Sequence, residues 1–296
     1  MLTQPALRRR ARESALVFDC QGSALIGVLA EPAEDVAPLR LGVVIVVGGP
    51  QYRAGSHRQF TLLARSLAAG GWPTLRFDVR GMGDSAGSMA NFENIGEDIR
   101  AAIDVMLQRL PQLDGVVLWG LCDGASAALL YLHELPDERV RGLCLVNPWA
   151  RSGATLASVQ VKHYYRERLL QREFWTKLLR GGVGLQAVRG AVTQVSQWLG
   201  AAQREGPAAA TSFLHKMSDA ARRFKGSTLL VLSGNDYTAK EFLEYVRQDE
   251  GWQASLQQPR LTRVDIDGAD HTFSSPAAEQ ALTDAVRSWL ANSASR

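Results

Sequence analysis

Val117-Leu118-Trp119-Gly120-Leu121-Cys122-Asp123-Gly124-Ala125 is the stretch that decides the fold. An apolar run without alternation is what a strand buried on both faces requires. Gly-x-Cys-x-Gly follows it, and helical periodicity resumes at once. A strand that turns sharply into a helix needs small residues two before and two after the apex, and the apex side chain is then presented above the strand end. Cys122 occupies the apex, and the N-terminal dipole of the helix behind it favours a thiolate. The bland reading is a tight turn with an incidental cysteine. Cys20 and Cys144 fall inside strand-like runs and read as small core hydrophobes.

Outward from this turn the pattern alternates. Upstream, Ala15–Asp19 and Ala24–Ala30 flank Gln21-Gly22-Ser23 and predict a hairpin. Leu41–Val47 is a buried-type strand, Phe60–Leu67 a helix stopped by Gly70-Gly71, Pro73–Val79 a strand and Phe92–Leu110 a helix. Downstream, Gly124–Leu135 is a helix and Val140–Val146 a strand. Thr228–Ser233 and Lys240–Gln248 form a further strand and helix, and Leu261–Ile266 with Ala277–Leu290 ends the chain. Alternating strands and helices predict a mostly parallel sheet of about eight strands with helices on both faces. The alternation breaks at Asn147-Pro148-Trp149, and 149–225 reads as a helical cap inserted after the sixth strand. The core is then 1–148 with 226–296.

Two partners follow the cysteine in order. Asp236 ends the strand run Thr228–Ser233 in Gly234-Asn235-Asp236, on the sheet edge where α/β proteins place ligands. It can equally be read as the N-cap of the next helix. Of five histidines, His57 and His271 alone sit in loops after strands. His271 is placed to take a proton from Cys122, with Asp236 orienting its ring. Asp270 is the rival acid, but as a sequence neighbour it points away from the ring. An oxyanion needs two N–H donors. The Asp123 amide supplies one. Pro50 has no N–H, so Gln51 is the expected second donor in the loop Gly48-Gly49-Pro50-Gln51-Tyr52-Arg53. Arg53, His57 and Arg58 are candidates to hold an anionic group at the pocket rim. Alternatively, Ser56 caps the next helix and Arg58 is merely solvated.

The chain has 296 residues, 46% hydrophobic and 21% charged, with net charge +3. That balance excludes disorder and gives no reason to expect nucleic-acid binding. Three cysteines make neither a disulfide framework nor a zinc site, so a reducing, cytoplasmic setting is expected. The N-terminal arginines precede no apolar h-region, and no run is long enough to span a bilayer. No metal or cofactor is expected: Gly81-Met82-Gly83 lacks the third glycine of a dinucleotide fingerprint.

The order of elements, Asp78-Val-Arg-Gly-Met-Gly-Asp-Ser85, the cysteine elbow, Gly234-Asn-Asp236 and Asp270-His271 resemble the α/β-hydrolase superfamily over nearly the whole chain. Gly49-Pro-Gln-Tyr-Arg53, Gly55-Ser-His-Arg58 and Gly120-Leu-Cys-Asp-Gly124 are similar to the exosortase A system-associated hydrolase 1 family. That resemblance implies a bacterial exosortase and exopolysaccharide setting. The departures from common esterases are cysteine for serine and Gly48 for the usual histidine.

Together these features predict a cysteine-dependent acyl hydrolase, an esterase or thioesterase. An acyltransferase with the same residues, or a non-catalytic partner-binding protein, are the alternatives. From Arg151 to Lys225, Lys and Arg outnumber Asp and Glu by 13 to 4, so this segment carries +9 and the remainder −6. Such asymmetry suits an acidic acyl carrier protein or a coenzyme A ester, although a solvated helical face has the same composition.

Overall fold

A computed structural model describes residues 11–48, 51–150 and 207–293. Met1–Ala150 and Lys216–Arg296 form one compact unit, and Arg151–His215 forms a second. The cap expected over 149–225 lies mostly outside the described residues.

The strands are β1 Ala11–Cys20, β2 Ser23–Pro32, β3 Leu41–Val46, β4 Thr74–Phe77, β5 Gly115–Leu121, β6 Val140–Val146, β7 Ser227–Ser233 and β8 Leu261–Ile266. They form one eight-stranded sheet in the order β1-β2-β4-β3-β5-β6-β7-β8. β1 pairs antiparallel with β2, and β2 with β4; every other pairing is parallel. The expected eight-stranded, mostly parallel sheet is observed. The β1–β2 turn has Gln21 at φ 52° and Gly22 at φ 79°, the two left-handed residues a tight two-residue hairpin needs.

The described helices are α1 Gln59–Ala69, α2 Gly96–Arg109, α3 Asp123–Glu134, α4 Pro207–Arg223, α5 Tyr237–Gln248, α6 Glu250–Leu256 and α7 Pro276–Ser293. On one face of the sheet, Val43, Ile45, Val117 and Trp119 pack with Phe60 and Leu67 of α1 and Leu282 and Trp289 of α7. Side chains alternate along a strand, so Val44 and Leu118, also fully buried, turn to the other face, where α2 packs on α3. Each such side chain contributes about 1.5–3 kcal/mol by burial, which is why these strands carry no polar alternation.

Two elements differ from expectation. Phe92–Leu110 is not one helix: Phe92–Asn94 is a 3₁₀ turn and α2 starts at Gly96. The Asn94 side chain donates to Asn91 Oδ1 at 2.5 Å and its amide to the Asn91 carbonyl at 3.0 Å. These local bonds compete with helix continuation. The helix α6 was not anticipated. It is short, capped by Asp249, whose carboxylate accepts from the Trp252 amide at 2.8 Å, and it is anchored by buried Trp252.

Because β3, β5, β6, β7 and β8 are parallel, the loops carrying Gly48, Cys122, Asn147, Asp236 and His271 all leave the same sheet edge. No helix among the described residues is long and apolar enough to cross a membrane.

Candidate active site

At the apex, Cys122 has φ 60° and ψ −124°. For a side chain with a Cβ this costs on the order of 1–3 kcal/mol, and it persists only where the surroundings enforce it. The enforcement is visible. The Cys122 amide donates to the Val146 carbonyl at 2.9 Å, and its carbonyl accepts from Ala125 at 3.1 Å and Trp149 at 3.2 Å. A Cβ at Gly120 would overlap the backbone of Gly124 and Ala125, and one at Gly124 would overlap the Val46 carbonyl. Both glycines are therefore required by close backbone approach. Cys122 is partly exposed, whereas Cys20 and Cys144 are buried. Burial pushes the Cys20 thiol up to about 11, with Asp98 adding to the effect, and holds the Cys144 thiol well above its ordinary value.

The Asp236 carboxylate makes two sets of contacts. It caps α5, accepting from Thr238 N at 3.1 Å and Ala239 N at 3.3 Å. The same side chain lies 2.9 Å from His271 Nδ1 through Oδ2. Nδ1–H therefore points at the acid, and Nε2 is left for chemistry. The hydrogen bond that His271 donates to Asp236 raises the His271 pKa. Burial opposes it, and the charges of Asp236, Asp123 and Asp270 add to the rise. Asp270 faces elsewhere: it accepts from the Ser274 amide at 2.8 Å and from the Ser274 hydroxyl. The loop bearing His271 is anchored by buried Ala269 and Phe273 and by the Asn235 amide, which donates to the Ala269 carbonyl at 2.9 Å.

The Asp123 amide lies in the first turn of α3, where backbone N–H groups emerge from the helix end. Gly48 packs against this turn so closely that a Cβ there would overlap Asp123 Oδ1 and the Gly124 amide. Asp123 thus takes up the room a histidine at 48 would need. Gly49 and Pro50 lie outside the described residues. Gln51 follows directly, and its Oε1 is buried without a hydrogen-bond partner among the described residues.

The rim residues diverge. Arg53, read as an anion holder, is turned inward: it pairs with Asp78, which is fully buried, and with Asp84 at 2.7 Å. Its own amide donates to Asp78 Oδ1 at 2.7 Å. Two carboxylates already satisfy this guanidinium, so its place is to pin the loop after β3 to the loop after β4. Only long-range pairing decides this, which is why the local pattern misled. His57 and Arg58 are exposed, with φ 41° and 66°. His57 Nε2 lies 3.1 Å from the Thr272 carbonyl, beside the His271 loop. Ser56 makes no side-chain cap bond to α1, because the cap position is Arg58.

A residue the sequence reading passed over is Asn147. It appeared only as the point where alternation breaks, yet it is fully buried and left-handed, φ 44°. A polar residue ending an apolar strand was the available signal. Among the described residues no group of three or more His, Cys, Asp or Glu is arranged to hold a metal.

The sequence model of the serine aminopeptidase S33 family matches residues 40–241. No curated protein sequence matches the chain. Among solved structures, the chain is similar to Est1E from Butyrivibrio proteoclasticus bound to ferulic acid, with TM-score 0.62 and 15% identity over 95% of this chain and 100% of that one. It is also similar to the Pyrococcus furiosus esterase Pf2001, with TM-score 0.61 and 14% identity over 98% and 95%. A third relative is the dienelactone hydrolase from Anabaena variabilis, with TM-score 0.58 and 17% identity over 96% and 99%.

Proposed function

Because this chain belongs to the serine aminopeptidase S33 family, within the α/β-hydrolase superfamily, we propose that it is a cysteine-dependent hydrolase that cleaves an ester or thioester through Cys122, His271 and Asp236. The observation that carries the reading is the Asp236–His271 hydrogen bond at the sheet edge where the strained elbow presents Cys122. Ester chemistry is favoured over peptide cleavage by the names of the structural relatives, which include esterases and a lactone hydrolase.

The Cys122 proton passes to His271 Nε2, and the thiolate attacks the acyl carbonyl carbon. A C–S bond forms, and the oxyanion is met by the Asp123 amide and, on this reading, by that of Gln51. Collapse breaks the bond to the leaving alcohol or thiol, which takes the proton from His271. A water then gives its proton to His271 and attacks the thioester. The C–S bond breaks, the carboxylic acid leaves, and His271 returns its proton to the sulfur, which restores Cys122. Asp236 holds the ring in the tautomer that leaves Nε2 available and stabilises the imidazolium. A cysteine suits activated acyl groups, because its thiolate exists near neutral pH before substrate arrives.

The +9 carried by 151–225 supports an anionic or carrier-bound acyl substrate, such as a coenzyme A ester or an acidic acyl carrier protein. The resemblance to exosortase-associated hydrolases is in keeping with such a setting. If an acceptor replaces water, the same residues run an acyl transfer.

Intact-mass measurement after mixing with aryl esters and acyl thioesters tests the reading. An acyl adduct mapping to Cys122, accumulating in His271→Ala, is expected. Hydrolysis that survives Cys122→Ala overturns it.

A further inference from the structure

We propose that Asn147 and Ser233 are positioning residues for His271, acting through the backbone of its loop. The inference rests on the Cys122–His271–Asp236 reading above and adds to it two side chains that touch no reacting atom.

Asn147 leaves the end of β6 and Ser233 ends β7, on neighbouring strands. The Asn147 side chain donates through Nδ2 to Ser233 Oγ at 2.7 Å and to the His271 carbonyl at 3.3 Å. Its Oδ1 accepts from the Ser233 amide at 2.8 Å. The Ser233 hydroxyl in turn donates to the Asp270 carbonyl at 3.0 Å. Two consecutive carbonyls, those of Asp270 and His271, are thus held by two buried side chains. Asn147 is itself fixed to β7 through its amide, which donates to the Val231 carbonyl at 3.0 Å.

This arrangement is more than loop anchoring. Ala269 and Phe273 already hold the loop by burial on either side of His271. What they leave undetermined is the rotation of the peptide that carries the ring. Asn147 and Ser233 grip that peptide directly. Asp236 leaves the same strand end as Ser233, three residues on, so acid and base are referenced to one short piece of β7. Asn147 reaches this geometry only in the left-handed backbone region, where asparagine is among the few side chains tolerated. The segment that begins with Asn147 also serves the nucleophile: the Trp149 amide donates to the Cys122 carbonyl at 3.2 Å, and the Ser126 hydroxyl to the Trp149 carbonyl at 2.8 Å. One buried turn after β6 therefore braces both the elbow and the histidine loop.

The charged groups acting on His271 are Asp236 at the start of α5, Asp123 at the start of α3 and Asp270 on its own loop. All three are acidic. A rotation that lengthens the Asp236 bond therefore lowers the affinity of the ring for its proton, and this is measurable apart from stability.

The test compares Ser233→Ala and Asn147→Gly with the intact chain. Glycine tolerates the left-handed backbone at 147, so that variant removes the amide without adding strain. Iodoacetamide labelling of Cys122, followed by peptide mass mapping near neutral pH, needs no knowledge of the substrate. NMR titration of the His271 ring is read alongside. Labelling is expected to slow roughly 10- to 100-fold, the scale of a misplaced catalytic group, and His271 is expected to titrate lower. Normal labelling and normal titration in either folded variant, whatever its loss of thermal stability, overturns the proposal. Failure of the underlying triad reading is seen separately: His271→Ala would then leave Cys122 labelling unchanged, with Asn147 and Ser233 both intact.

Discussion

Asp236 carries two loads, and replacing it by asparagine or alanine separates them. Asparagine caps a helix as well as aspartate does, but it has one acceptor oxygen where aspartate has two, so in Asp236→Asn one of Thr238 N (on Oδ1) and Ala239 N (on Oδ2) keeps its acceptor and the cap survives in part. What that variant loses outright is the charge facing His271 Nδ1. A hydrogen bond to a charged partner is worth about 1.5–3 kcal/mol and a neutral one about 0.5–1.5, so the expected loss is about 1 kcal/mol. Asp236→Ala also loses the cap, about 1 kcal/mol. It further leaves the Nδ1–H without a partner in a half-buried site, roughly 1–3 kcal/mol, for a total of about 2–4. Activity should not follow stability. In both variants His271 loses its tautomer control, and kcat should fall roughly 10³- to 10⁴-fold. Urea denaturation and aryl-ester turnover measure the two effects. The stability loss also has a pH signature. Asp236 raises the His271 pKa, so its stabilisation is fully present below about 6.5, the unfolded value, and disappears as pH rises through the higher folded value. The gap between Asp236→Asn and the parent should therefore be widest near pH 6 and narrow in alkaline solution. If Asp236→Asn keeps activity within tenfold of the parent, or if the gap widens with pH, the assignment of Asp236 as the partner of His271 is wrong.

Three further outcomes follow from the geometry. With burial holding Cys20 and Cys144 protonated, stoichiometric iodoacetamide near neutral pH should modify Cys122 first; equal, slow modification of all three contradicts an activated elbow. Gly120→Ala forces a methyl into the backbone of Gly124 and Ala125 and should cost at least about 1–3 kcal/mol by overpacking. Gly22→Ala meets no atom and bears only its left-handed φ, about 1 kcal/mol, so similar denaturation midpoints for the two would refute the close-approach argument. Arg53→Ala strips the buried Asp78 of its guanidinium and should cost about 3–5 kcal/mol. It should also change KM for neutral and anionic esters in parallel, whereas a KM rise confined to anionic esters would make Arg53 an anion holder after all.

The legible parts were those written in local chemistry. Gly120 and Gly124 announce their close approach because no other residue fits, and the unalternating runs at Leu41 and Val116 announce strands with two buried faces. Asp236 and His271 were legible as residues that follow strands in a fixed chain order. What escaped depends on partners distant in sequence. Arg53 looks like a rim cation until Asp78, 25 residues away, is seen to hold it. Asn147 looks like a strand terminator until Ser233, 86 residues away, is seen to share its amide. The unanticipated helix Glu250–Leu256 shows a third cause: seven residues, about two turns, capped by Asp249, are too few to establish periodicity.

The charges around the site set a last constraint. His271 is influenced by Asp236, Asp123 and Asp270, and this acidic surround favours the imidazolium. It does not favour phosphate groups. An anionic carrier of the kind proposed would be drawn by charge elsewhere in the chain, and the excess of positive charge lies in 151–225. Attraction of that kind works at a distance and is screened over roughly 8–10 Å at 0.1–0.15 M salt. Turnover of a coenzyme A thioester should accordingly fall as salt rises, mainly through KM, while turnover of an uncharged aryl ester stays level. Replacing several of the 151–225 arginines by glutamine should flatten the salt dependence of the first and leave the second alone. Salt profiles that coincide for the two substrates would show that the basic segment plays no part in recruiting them.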